Sequence, residues 1–124
     1  MALILGVAGF GVVGVLSRYG IDSFIEKRSE TLFPLATFLI NASGCLTVGF
    51  IIPAIVDRER GPQWLRVGLV MGLCGGFTTF STFANEALSL IESKDQRIAL
   101  ASIAANVILG ITAVWVGSRV GRLV

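Results

Sequence analysis

Histidine is absent from the 124 residues, and only 15% of them are charged. Without histidine the chain has no imidazole for metal binding, for a proton relay or for Ser-His catalysis. Cysteine is also scarce, with Cys45 and Cys74 placed in apolar sequence. We interpret these two as small apolar thiols rather than as a disulfide or a metal site. No nucleophile paired with a base lies at membrane depth, so no enzymatic activity is expected.

Hydrophobic residues, in contrast, make up 54% of the chain, and its mean hydropathy is +0.83. A soluble domain of this length could not hide so much apolar surface in one core. Four apolar stretches, approximately 2–25, 32–56, 64–91 and 98–120, each reach the ~20 residues that span a bilayer. The sequence therefore predicts an all-α membrane protein with a single transmembrane domain over residues 1–124. We interpret the first stretch as a retained helix, because it lacks the basic region and the cleavage site of a signal peptide.

Basic residues are divided equally between the two ends that four helices create. One end carries five of them and the other end carries five: Arg58, Arg60, Arg66, Arg119 and Arg122 against Arg18, Lys27, Arg28, Lys94 and Arg97. Since Lys and Arg bias fixes orientation, this balance fits a chain that inserts both ways up, or a weakly biased chain oriented by other signals. Four helices are too few to enclose a pore, so an oligomer is expected. Gly68-x-x-x-Gly72 and Gly117-x-x-x-Gly121 offer faces for close helix approach.

Polar side chains recur at membrane depth in three of the stretches. Thr37 and Asn41 are one helical turn apart, as are Ser102 and Asn106, and the third stretch holds a denser set: Thr78, Thr79, Ser81, Thr82, Asn85, Glu86 and Ser89. Such residues tie helices together or form a polar path, and three contributing helices favour the path. Arg18 and Glu86 lie towards helix ends, so the middle of the path has no formal charge. A neutral path suits a small ion better than proton-driven transport.

The stretch "GLCGGFTTFSTF", residues 72–83, interrupts the apolar pattern of the third helix. Gly75 and Gly76 weaken a helix, and the hydroxyls of Thr78 and Thr79 compete for backbone groups. An opened helix would bury its released carbonyls or coordinate a sodium-sized cation with them, whereas an unbroken helix would use the glycines as a packing notch. Phe80 and Phe83 share one side, where rings either pack or present positive edges to a desolvated anion.

Residues 72–86, "GLCGGFTTFSTFANE", resemble the signature of the Fluc (CrcB) fluoride channels. "GVVGVLSRY" at 11–19 is similar to an element of that family's first helix, and "TFLINASG" at 37–44 to an element of its second. The resemblance implies a broken third helix and an antiparallel, dual-topology homodimer in the cell membrane. It further implies two fluoride pores, a structural sodium ion at the dimer centre, passive fluoride export that lowers intracellular fluoride, and no nucleic-acid partner.

The resemblance also implies a role for particular residues. Backbone carbonyls of Gly75 and Thr78 would bind the sodium ion. The residues matching the fluoride pore are Asn41, Phe80, Phe83, Ser81, Thr82 and Asn106, and those matching its mouth or its packing are Arg18, Thr37 and Glu86. Two positions depart from the family, since Gly110 and Val114 stand where a hydroxyl is frequent. Ala36 replaces a glycine, which affects packing more than chemistry.

Two other classes of protein are compatible with four short helices. A small multidrug exporter relies on a membrane-embedded glutamate in its first helix, but residues 2–16 contain no acid. A non-transporting assembly subunit would explain the glycines but not the threonine-phenylalanine pattern. Within the channel interpretation, two paralogous chains of opposite charge bias are an alternative to the homodimer. The equal numbers of basic residues favour the single chain.

Overall fold

The computed structural model describes residues 1–124 and consists of helices without a strand. Its helices are α1 (Ala2–Glu26), α2 (Leu35–Val56), α3 (residues 63–77), α4 (Phe80–Glu92) and α5 (Gln96–Leu123). Four spans are long and apolar enough to cross a membrane by length and composition: Ala2–Glu26, Leu35–Val56, Gln63–Glu92 and Gln96–Leu123. The prediction of an all-α protein with four membrane-spanning helices is confirmed.

The helix ends differ by up to three residues from the apolar stretches. The apolar stretch begins at Leu32, whereas α2 begins at Leu35, directly after Pro34. Proline fits the start of a helix because its fixed φ suits the first turn and because an N–H is not needed there. At the other end of the chain, α5 continues to Leu123 rather than ending near Val120. The backbone ladder of α5 continues through Gly121 and Arg122, so apolarity alone underestimates the length of this helix.

Two helices contain segments of wider π-helical turn. The last turn of α2, Ile52–Val56, is one, and Gly68–Cys74 in the middle of α3 is the other. Pro53 lies in the first of these, where a proline removes one backbone donor. The second directly precedes Gly75 and Gly76, so the stretch noted in the sequence begins at a locally altered helix.

Glycines let α3 pack against α1, and α5 against α2, at backbone distance. A Cβ added to Gly72 would lie 2.6 Å from the carbonyl oxygen of Val7, and one added to Gly121 would lie 2.5 Å from that of Phe50. Both glycine pairs found in the sequence are therefore used for contacts inside the chain. Gly9, in contrast, has no neighbour within 4 Å of such an added atom.

The outer surface of the bundle is apolar. Only 21 of the 124 residues are buried, while large side chains such as Leu16, Met71 and Ile111 are more than 60% exposed. An exterior of this kind suits contact with lipid or with another apolar protein surface. The polar groups described next lie between the helices instead.

Candidate functional site

Thr78 and Thr79 connect α3 to α4 with extended backbone, at φ −79° and ψ 159° for the first and φ −147° and ψ 107° for the second. The N–H and the hydroxyl of Thr78 both donate to the Cys74 carbonyl, at 3.0 and 2.9 Å. The Thr79 hydroxyl oxygen accepts from the N–H of Thr82 at 3.3 Å and donates to the Thr82 hydroxyl at 2.8 Å. One threonine thus closes α3 and the next caps α4, as expected of hydroxyls that compete for backbone groups.

Asn41, on α2, holds the extended backbone in place. Its Oδ1 accepts from the N–H of Thr79 at 2.9 Å, and its Nδ2 donates to the Thr79 carbonyl at 3.2 Å. In a continuous helix the Thr79 N–H would bond to the Gly75 carbonyl, so that carbonyl loses its helical donor. The Thr78 carbonyl loses its donor in the same way, because the N–H of Thr82 turns to the Thr79 hydroxyl.

Asn106 extends this network to α5. Nδ2 of Asn41 also donates to Oδ1 of Asn106, at 3.2 Å, and Nδ2 of Asn106 donates to the Ser102 carbonyl at 3.0 Å. The Thr79 backbone, which offers one donor and one acceptor, fixes which end of the Asn41 amide is oxygen. The hydroxyl of Ser102 is fully buried and has no hydrogen-bond partner. Two amides therefore connect α2, α5 and the start of α4.

A groove of about 420 Å³ runs beside these amides. Its lining combines Asn41 and Asn106 with both phenylalanines, and it also includes Gly75 and Thr78. The ring centroids of Phe80 and Phe83 are 5.7 Å apart and the rings are tilted by 58°. Phe83 is 8% exposed, whereas Phe80 is 79% exposed. The groove thus brings together six of the residues singled out in the sequence.

A second cavity, of about 250 Å³, holds a different set of the predicted residues. Arg18, Thr37 and Thr82 line it, together with Asp22. Thr79 also lines this cavity while bonding to Asn41 of the groove, so the extended backbone separates the two spaces. Thr82, which the family resemblance assigns to the fluoride pore, lines this cavity and not the groove.

Glu86 lies beyond the second cavity, in a smaller space of about 140 Å³ that it shares with Glu26. Thr37 donates its hydroxyl hydrogen to Oε1 of Glu86 at 2.8 Å, while Oε2 is buried without a partner. Ser81 lines none of the three spaces and is exposed. The predicted residues therefore follow one another through three spaces, with Ser81 set apart.

Sequence reasoning missed residues that line these spaces. Cys45 and Cys74, interpreted only as apolar thiols, both line the groove. The Sγ of Cys45 lies 3.5 Å from the position of a Cβ added to Gly110. The spacing in the sequence could have indicated that Cys45 lines the groove, because Cys45 is one helical turn after Asn41 and Gly110 is one turn after Asn106. A thiol thus lies beside Gly110, one of the two positions at which the resemblance led us to expect a hydroxyl.

Comparison with known proteins agrees with this arrangement of motifs. Residues 5–118 match the family described as CrcB-like protein, Camphor Resistance (CrcB). A fluoride-specific ion channel FluC of Flavobacterium psychrophilum is 38% identical over 122 residues, which cover 98% of each chain. One of Nitratidesulfovibrio vulgaris is 41% identical over 98% of this chain and 97% of its own. With four helices that can cross a membrane, the chain belongs to the CrcB family of multi-pass membrane proteins.

Proposed function

We propose that the chain is a fluoride-selective channel through which fluoride leaves the cell passively. The observation that carries the proposal is the groove in which Asn41, Phe80 and Phe83 lie together beside backbone that is held extended. The relatives named fluoride-specific ion channels support it over nearly the whole chain. Flow is driven by the fluoride gradient and the membrane potential, and it lowers the intracellular fluoride concentration.

Fluoride is small and strongly hydrated, so a pore must replace its water with donors. Both N–H groups of the Asn41 amide are engaged, one with the Thr79 carbonyl and one with Oδ1 of Asn106. The second bond, at 3.2 Å, is at the long end of the usual range. An entering fluoride ion takes the place of the Asn106 oxygen, and the Asn106 oxygen returns to Asn41 as the ion leaves. Such an exchange binds the ion without trapping it.

The phenylalanine rings supply contacts that carry no formal charge. A phenyl ring is positive at its edge and negative on its face, and the tilt of 58° prevents Phe80 and Phe83 from stacking face to face. An edge is thus left for a desolvated anion. The hydroxyl of Thr82 serves as a further donor in the second cavity, and the exposed hydroxyl of Ser81 serves as one where a second copy covers this surface. The complete pore excludes chloride because it is too narrow for this larger ion.

The second cavity forms the mouth of the route in this proposal. Arg18 gives it a positive charge that attracts anions, and Asp22 in the same cavity limits how tightly they are held. Thr37 and Glu86 bond to each other beside this cavity and keep α2 and α4 together there. A weakly attractive mouth raises the local fluoride concentration without closing the route.

A second copy of the chain completes the channel. Phe80 is 79% exposed at the groove, so one chain leaves this wall of the lining uncovered. We assign the cover to an antiparallel partner, which also explains why the two ends carry equal numbers of basic residues. A sodium ion fits between the copies, since the carbonyls of Gly75 and Thr78 have both lost their helical donors and sodium takes oxygen ligands. Its role is structural, because it neutralises carbonyl dipoles from both copies.

Efflux from reconstituted liposomes tests the proposal. Vesicles loaded with fluoride release it once valinomycin dissipates the membrane potential, whereas vesicles loaded with chloride retain their anion. A chloride rate comparable to that of fluoride would exclude the selectivity, and vesicles that retain fluoride would exclude the channel. A multidrug exporter or an assembly subunit releases neither ion.

The rings are tested by Phe80→Ile and Phe83→Ile in the same vesicles. Loss of one ring contact of about 1 kcal/mol is expected to lower the fluoride rate roughly fivefold. Size-exclusion chromatography must show that each variant still assembles as a dimer. Leu88→Ile, an exposed change on the same helix, serves as the matched control. Undiminished flux in both phenylalanine variants would remove the rings from the lining.

A further inference from the structure

The two ends of the molecule differ in their acidic residues although their basic residues are equal in number. We call one end the arginine end because all five of its basic residues are arginines: Arg58, Arg60, Arg66, Arg119 and Arg122. This end has only two acidic residues, Asp57 and Glu59. The opposite end, including the helix turns next to it, has five basic residues and the six remaining acidic residues, so its charges nearly cancel. The arginine end thus has a clear excess of positive charge.

The structure gathers the arginines at the last turn of α5. Arg58, in the turn between α2 and α3, donates to the Arg122 carbonyl at 2.8 Å, and Arg60 donates to the Val124 carbonyl at 2.9 Å. Carbonyls at the end of a helix carry a partial negative charge, which attracts these guanidinium groups. Several like charges are thereby held close to one another.

Carboxylates leave most of this charge uncompensated. The chain has one ion pair, between Arg66 and Glu59, with a nitrogen–oxygen distance of 4.0 Å. Arg58, Arg119 and Arg122 are exposed and form no ion pair. Each guanidinium has five N–H donors, so most of their donors are free to bind an anion from outside the chain.

The two tryptophans place this end at the surface of the membrane. Trp115 is 58% exposed, with the Arg119 guanidinium over its ring at 5.3 Å, and Trp64 is 41% exposed at the start of α3. The chain has no other tryptophan. Exposed tryptophans of membrane proteins concentrate at the headgroup level, so the arginines beside them lie within reach of lipid phosphates.

We propose that the arginine end binds the headgroups of anionic phospholipids, with Arg119 and Arg122 as the contact pair. A phosphate diester accepts paired hydrogen bonds from a planar guanidinium, and a net negative headgroup relieves the repulsion among the arginines. Zwitterionic lipids bind less well because their own ammonium group competes for the phosphate. The exposed apolar face of α5, which includes Val116 and Val120, receives the acyl chains and distinguishes a lipid from a free anion.

Quenching of tryptophan fluorescence by brominated lipids tests this proposal directly, since both tryptophans are at the proposed site. In a Trp64→Phe variant Trp115 is the sole reporter. The protein is reconstituted in phosphatidylcholine vesicles in which either the phosphatidylglycerol or a matched share of phosphatidylcholine is brominated. Brominated phosphatidylglycerol is expected to bind about fivefold better or more than brominated phosphatidylcholine.

The matched variants alter charge at one end at a time. R119Q with R122Q is expected to abolish the preference, whereas K94Q with R97Q at the opposite end leaves it intact. Equal quenching by the two lipids in the Trp64→Phe protein with all its arginines would overturn the proposal, as would a preference that survives R119Q with R122Q. Relief of quenching by inorganic phosphate would show that the site binds a free anion, and it would overturn the proposal of a lipid site. Size-exclusion chromatography checks the fold of each variant, and no result depends on fluoride flux.

Discussion

Asn41 shows at the scale of one residue how a polar side chain is accommodated at membrane depth. Its amide replaces the helical partners of both backbone groups of Thr79 and also contacts Asn106. A backbone group without a partner is costly in lipid, so the extended connection depends on this one side chain. In the proposed channel the same amide binds fluoride, which joins the stability of the fold to the transport route.

Asn41→Ala is therefore expected to lower the free energy of unfolding by about 2–4 kcal/mol, because it leaves the N–H and the carbonyl of Thr79 unpaired. Denaturation of the purified protein in detergent micelles measures the change. Ser43→Ala is the matched control on the same helix, since that hydroxyl bonds only to carbonyls of its own helix. Its expected effect is within about 0.5 kcal/mol. Equal stability of the two variants would contradict the role given to Asn41.

The packing of α1 against α3 is decided at the scale of helices by glycines. Gly72 lets α3 approach the backbone of α1 near Val7, and Gly76 lies in the same way close to Gly11. The G-x-x-x-G spacing predicted a close contact between helices, but it did not predict which helix would be the partner. The partner turned out to be a helix of the same chain, so other surfaces remain for contact between copies.

Gly72→Ala is expected to destabilise the protein by roughly 1–3 kcal/mol, the usual cost of overpacking, because the added Cβ would lie 2.6 Å from the Val7 carbonyl oxygen. Gly9→Ala, on the facing helix, has room for its Cβ and is expected to leave stability equal or raise it by less than about 1 kcal/mol. The temperature at which each variant unfolds in detergent is the measurement. A Gly72→Ala protein as stable as the Gly9→Ala protein would show that the helices can separate without cost.

Orientation in the membrane is a property of the whole molecule. The equal numbers of basic residues at the two ends predict that chains insert in both orientations. A variant with Cys45→Ala, Cys74→Ala and Ser93→Cys carries one thiol, in the turn between α4 and α5. An impermeant maleimide is expected to label about half of these chains from outside the cell and the rest after permeabilisation. Gln63→Cys, at the opposite end, is the matched control and should give the complementary fraction. Labelling of all chains from one side would contradict the antiparallel homodimer.

The sequence by itself determined the properties that depend on local pattern. Apolar runs of about 20 residues specify four spans whatever the packing between them, because each must satisfy its own backbone in lipid. Thr78 and Thr79, which follow the double glycine, were predicted to compete for backbone hydrogen bonds. The hydroxyls of both residues form hydrogen bonds with backbone groups. Family membership follows from the same ordered motifs, which needed no tertiary information.

Tertiary structure alone decided which distant groups meet. The Thr79 N–H finds its acceptor 38 residues away on α2, and Thr37 finds Glu86 across 49 residues. It also placed Thr82 with Arg18 in a separate cavity and brought Cys45 into the groove beside Asn41. Periodicity assigns a residue to one side of its own helix, but the rotation and crossing of neighbouring helices determine what that side faces. Those depend on glycine contacts such as the one between Gly72 and Val7, which form only when the whole bundle packs.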